Sequence, residues 1–146
     1  MLLLLAQQPA TRRLLVAGCL LLPLLAGCGG DGLNPVEGQL VWSDDDSPAK
    51  ELEGASLTFE LPGKNTNTIG TVQPDGSFKL MTASPNDGAY AGEYIVLISE
   101  RRASAGGEKM APTKAAERYN KHDTSDLKAE VKPGRNKLRL KVDRNK

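Results

Sequence analysis

Few side chains in this chain of 146 residues have the chemistry of a nucleophile or a ligand. There are two cysteines, Cys19 and Cys28, and one histidine, His122. Cys28 closes the stretch Leu24-Leu25-Ala26-Gly27-Cys28, at the end of an uncharged run, 14–25, that follows Arg12 and Arg13. A basic segment, an apolar segment and a small-residue cluster are the three parts of a secretory signal. The apolar run is too short to cross a bilayer, which takes roughly 20 residues. A cut before Cys28 makes its thiol the one sulfur-reactive group of the mature chain. Leu15-Val16-Ala17-Gly18-Cys19 has a similar pattern, but only 14–17 would remain as its apolar core, against the roughly 7 to 15 residues such a core needs.

The other candidates are weaker. Asp44-Asp45-Asp46 supplies three carboxylates in a row, whereas calcium is wrapped by oxygens from alternating loop positions. The run reads as a solvated turn. His122 has no second histidine, and no cysteine after Cys28, with which to hold zinc. General acid–base catalysis needs positioned partners, and none is evident, so His122 reads as an exposed residue after a short helix. We therefore expect no catalytic, cofactor-binding or metal-binding residue and no enzyme. Trp42 and Tyr90 are the aromatic candidates for a glycan platform, although Trp42 shares the inward register of Val36 and Leu40 and reads as a core-edge residue.

Removing 1–27 leaves 119 residues, a single-domain length. No disulfide can form within them, so packing alone must hold the fold. Residues 28–100 carry 3 Lys/Arg and 12 Asp/Glu, whereas 101–146 carry 14 Lys/Arg and 6 Asp/Glu. The plain reading sets late basic strands beside early acidic ones. The sharper reading is a basic face for anionic lipid or acidic polysaccharide.

The elements follow from period-two alternation and turn residues. Residues 28–34 are a linker reaching about 20 Å when extended. Val36, Leu40 and Trp42 share one face of a strand over 36–42, with Gly38 marking a bulge or a close backbone approach. An acidic loop covers 43–54. A strand over 55–61 turns Ala55, Leu57, Phe59 and Leu61 inward. Residues 68–82 read as a hairpin turning at Pro74-Asp75-Gly76-Ser77, where Gly76 supplies positive φ. The strand 93–98 is apolar on both faces from Tyr94 to Ile98, which predicts a central place. A polar loop spans 101–111, and 112–120 predicts a short helix whose Ala115, Ala116 and Tyr119 cover the core. Two alternating strands, around Leu127 to Val131 and Leu138 to Val142, close the domain. The expected fold is all-β, a seven-stranded antiparallel Greek-key β-sandwich over 35–143 with a tail at 144–146.

Leu25-Ala26-Gly27-Cys28 resembles the lipobox of bacterial lipoproteins, which implies a diacylglyceryl group on Cys28 and cleavage just before it. In the domain, Val36-Glu37-Gly38-Gln39-Leu40, then Leu52-Glu53-Gly54-Ala55-Ser56-Leu57-Thr58-Phe59, then Gly70-Thr71-Val72-Gln73-Pro74-Asp75-Gly76-Ser77-Phe78 and Gly92-Glu93-Tyr94 resemble a carboxypeptidase regulatory-like domain of the transthyretin-like class. Asp87-Gly88-Ala89, Arg118-Tyr119, Thr124-Ser125-Asp126-Leu127 and Lys132-Pro133-Gly134-Arg135-Asn136 resemble more narrowly the small lipoproteins of planctomycete type.

The resemblance implies a secreted, non-catalytic module. Its expected setting is a cell-envelope membrane, reached through lipidated Cys28, with the domain facing the periplasm or the exterior. The expected partners are that membrane and an envelope protein or polysaccharide, and no nucleic acid. Transthyretin-like hydroxyisourate hydrolases use several histidines and a C-terminal Tyr-Arg-Gly-Ser, whereas this chain ends Val142-Asp143-Arg144-Asn145-Lys146. Pilin-like relatives link a first-strand lysine to a last-strand asparagine, and 36–42 has no lysine.

Overall fold

The computed structural model describes residues 32–100 and 113–146. The signal segment 1–27, Cys28 and the polar loop 101–111 lie outside the described residues. What is described is mostly β, with no helix of seven or more residues.

Nine strands form. β1 is Leu33–Asn34, β2 Val36–Trp42, β3 Ser56–Glu60, β4 Asn67–Thr71, β5 Ser77–Met81, β6 Ala89–Tyr90, β7 Gly92–Ser99, β8 Lys128–Val131 and β9 Asn136–Val142. β1 and β6 pair with each other alone; the other seven join in the order β8-β7-β3-β4-β5-β2-β9. Those seven match the seven expected. The small β1–β6 pair was not foreseen, because two-residue strands carry no periodicity.

Alternation works as expected where one face is buried. Leu57 and Phe59 of β3 and Leu40 and Trp42 of β2 are nearly or wholly inaccessible to solvent. Phe59 sits at the centre, with Phe78 and Tyr94 ring centroids 6.0 and 5.9 Å away. Burying side chains of this size contributes roughly 1.5–3 kcal/mol each. The β4–β5 hairpin turns where Gly76 adopts φ +81° and donates its N–H to the Gln73 carbonyl at 2.9 Å. β5 then divides its pairing. Leu80 and Met81 stay with β4, while Ser77 to Lys79 pair with β2. That division curls the sheet toward a barrel.

Three expectations need correction. The sheet is not wholly antiparallel, because β9 runs parallel to β2 from Val36↔Asn136 to Trp42↔Val142. The loop 132–135 is closed by the Asn136 side chain, which accepts from the Lys132 N–H and donates to the Lys132 and Gly134 carbonyls. From that loop β9 runs alongside β2. The short helix at 112–120 is a 3-10 turn, Glu117–Asn120. Ala115 instead forms an antiparallel bridge to Arg144, a pairing that extends the β9 side and competes with helix. Ala115 and Tyr119 are nonetheless buried, and Ala116 packs beside them. Finally, β7 lies second from one end of the sheet rather than centrally, with Ile95 and Leu97 half-buried on its outer face.

Candidate functional site

Cys28 is the residue on which the sequence reading depends, and the described chain begins four positions after it. What the structure places is the point where the chain joins the domain. Leu33 pairs with Tyr90 and Asn34 with Ala89. Asn34 Nδ2 donates to the Ala89 carbonyl at 3.3 Å, and its Oδ1 accepts the Gly134 N–H at 2.7 Å. Asn34 thus ties the incoming chain to two separate loops.

The polar side chains gather at the opposite end of the strands. The loop after β2 doubles back, with Val41 bridged to Pro48 and the Trp42 N–H donated to the Ser47 carbonyl. Its three aspartates are thereby brought against the last strand. Asp46 meets Lys141 at 2.8 Å and Arg139 at 3.5 Å, and Arg144 meets Asp44 at 3.1 Å, Asp45 at 3.5 Å and Glu51 at 3.4 Å. The Arg144 guanidinium carbon stands 4.2 Å from the centroid of the Trp42 ring. Beside it, Asp143 accepts hydrogen bonds from Ser43 and Arg118, and Arg118 also reaches Asp126 at 3.0 Å.

These contacts set the protonation of the cluster. Asp143 is held below the usual aspartate range by the Ser43 hydroxyl first and Arg118 second. Asp46 is lowered by Lys141, and Asp45 by the Ser47 hydroxyl and N–H. The indole N–H of Trp42, donated to Glu51 at 2.9 Å, lowers Glu51. Every charged member faces solvent at least in part, so these are screened surface pairs. The plain reading of the charge asymmetry, basic strand beside acidic segment, is what this end displays. No group of three metal-ligating side chains occurs among the described residues.

The two aromatic candidates lie at opposite ends. Trp42 is 1% exposed, and Tyr90 is half-buried with the Lys64 ammonium 3.6 Å above its ring. They do not form one stacking platform. His122 is exposed, as expected, but its Nδ1 meets Glu60 at 2.5 Å. That pairing joins residues 62 apart in sequence and left no local signal. Among the described residues, His122 Nε2 has no hydrogen-bonded hydroxyl that would extend the pair into a relay. An open groove of about 640 Å³ at this end is lined by Asp44, Arg118, Asp143, Arg144 and Lys146, with Arg118 paired to Asp143 and Arg144 to Asp44.

No family model matches the chain, and no curated protein or solved structure matches it. Among the described residues no helix is long and apolar enough to cross a membrane.

Proposed function

We propose that this chain is an exported lipoprotein, anchored to a cell-envelope membrane by acyl chains on Cys28, whose β domain serves as a non-catalytic structural or protein-interaction module. The observation that carries the reading is Leu25-Ala26-Gly27-Cys28 at the end of the leucine-rich run. Two acyl chains already anchor a protein stably, at about 0.8 kcal/mol per buried methylene. We read the curled seven-stranded sheet as a transthyretin-like Greek-key sandwich of the carboxypeptidase regulatory-like kind, with β2 and β9 as its parallel pair. The cluster around Arg144 supports a structural role, since its charged groups are spent on one another.

Metabolic labelling with a palmitate analogue tests the anchor. The wild-type protein is expected to carry the label and to fractionate with membranes. The Cys28→Ser variant is expected to lose the label. A wild-type protein that is unlabelled and soluble would overturn the proposal.

A further inference from the structure

We infer that the outer face of β5 and its two neighbours binds an acidic saccharide, with Lys79 and Arg135 on the saccharide's carboxylate. The inference does not depend on the anchor at Cys28 and starts from the way β5 divides its pairing. Ser77 to Lys79 pair with β2, whereas only Leu80 and Met81 pair with β4. Each half of β5 therefore lacks a ladder on one side. A concavity of about 170 Å³ opens on the β2 side, where Lys79 meets Pro35, Asn86 and Arg135. A second, of about 510 Å³, opens on the β4 side between Thr71 and Gln73 and the residues Ser77 and Met81. A third, of about 370 Å³, continues over Glu37 and Gln39 to Lys137. Lys79 lines all three, because it is the residue at which β5 changes partner. Sites for organic ligands run to roughly 300–1,000 Å³, so this trough suits a short oligomer rather than a lone ion.

The cations of the trough outnumber the carboxylates that line it. Lys79, Arg135 and Lys137 stand against Glu37. Glu37 lies between Lys137 and Lys79 across the two ladders and pairs with Lys137 at 3.7 Å. Among the described residues, neither Lys79 nor Arg135 has a carboxylate at salt-bridge distance. Carboxylates on the adjoining loops have partners of their own. Asp87 accepts N–H groups from Thr82, Ala83 and Ser84, Asp75 accepts the Ser77 N–H at 2.9 Å, and Asp46 is held by Lys141 and Arg139. A ligand carboxylate would meet two unpaired cations in one concavity, one of them a guanidinium that can offer two parallel donors.

The remaining walls decide the rest of the ligand. Thr71, Gln73, Ser77 and Asn86 present hydroxyls and amides, which both donate to and accept from sugar hydroxyls. β2 and β5 lie inside the sheet, so a peptide cannot join them as a further strand. The Phe78 ring at the floor is 1% exposed and offers no stacking surface. A uronate-bearing oligosaccharide answers both the unpaired cations and the hydroxyl-rich walls.

The test titrates the full-length protein, in detergent micelles, with trigalacturonate by calorimetry. The expected result is binding that weakens several-fold in 1 M salt, where the Debye length falls to about 3 Å. Lys79→Gln and Arg135→Gln should each weaken it about tenfold, since each loses a charge-assisted hydrogen bond. Asn86→Gly keeps the backbone at its φ of 61° and removes the amide, and should weaken binding several-fold. Lys50→Gln should bind as the wild type does. Chemical-shift changes in the wild type should centre on 71–79 and Asn86, a measurement that needs no variant to fold. Absent binding, shifts centred on 43–54, or unchanged affinity in both Lys79→Gln and Arg135→Gln overturns the site. Equal binding of the fully methyl-esterified trimer overturns the role of the carboxylate. Equal binding of a triglutamate peptide overturns the saccharide class.

Discussion

Arg144 caps the buried face of Trp42, its guanidinium carbon 4.2 Å from the ring centroid, across 102 positions of sequence. The same guanidinium reaches Asp44, Asp45 and Glu51, and Glu51 in turn accepts the indole N–H. The indole is therefore held from its face by a cation and at its edge by that cation's counter-ion. Because Trp42 is the single tryptophan, its emission reports on this arrangement directly. Arg144→Ala is expected to shift the emission to the red by admitting water to the ring face. Trp42→Phe is expected to lose about 1–3 kcal/mol through lost volume and a lost hydrogen bond. Unchanged emission in Arg144→Ala would show that the arginine does not shield the ring.

Gly38 is a contact position. A Cβ there would lie 2.4 Å from Phe78 Cζ and 2.7 Å from the Leu138 carbonyl oxygen. Gly38→Ala is expected to cost about 1–3 kcal/mol by overpacking. Shortening the opposing ring with Phe78→Leu should recover part of that loss in a double-mutant cycle followed by urea denaturation. Strict additivity of the two substitutions would place the strain elsewhere.

Asn136 closes the crossing loop with three side-chain hydrogen bonds to Lys132 and Gly134. Asn136→Ala leaves those backbone groups to find water at a site that is 8% exposed, which should cost about 2–3 kcal/mol. The measurement is again denaturant unfolding, with hydrogen exchange at 132–136 rising more than at β3. A stability change below about 0.5 kcal/mol would mean that the loop holds its shape without the side chain.

Asp87 makes the 82–88 loop sensitive to acid. Burial raises its carboxyl, but the N–H groups of Thr82, Ala83 and Ser84 outweigh burial and hold it below the ordinary 3.8. The unfolded chain lacks those donors, so the contribution is complete above that ordinary value and is lost as pH falls through the lower folded one. Between pH 7 and pH 3, the wild type should therefore lose more stability than Asp87→Asn. Asp45, Asp46, Asp143 and Glu51 are lowered as well and are present in both proteins, so the difference isolates Asp87. Equal acid losses would assign the sensitivity to the other carboxylates.

By itself the sequence determined what local pattern can carry. Alternation together with turn residues and one run apolar on both faces located the seven main strands, since the side-chain period of a strand is two. Val36 and Trp42 even bound β2 as expected. Gly76 announced its turn, and Gly38 its close approach. His122 was legible as exposed.

Only the tertiary structure decided how the strands meet. The parallel β2–β9 pairing joins residues 100 positions apart, and nothing in either strand's alternation encodes its partner or its direction. The same crossing sets Arg144 on Trp42 and Lys141 on Asp46, turning a charge asymmetry along the chain into ion pairs across one end. The helix expected at 112–120 gave way to a turn for a related reason, since Ala115 gains a bridge to Arg144 that helix would forfeit.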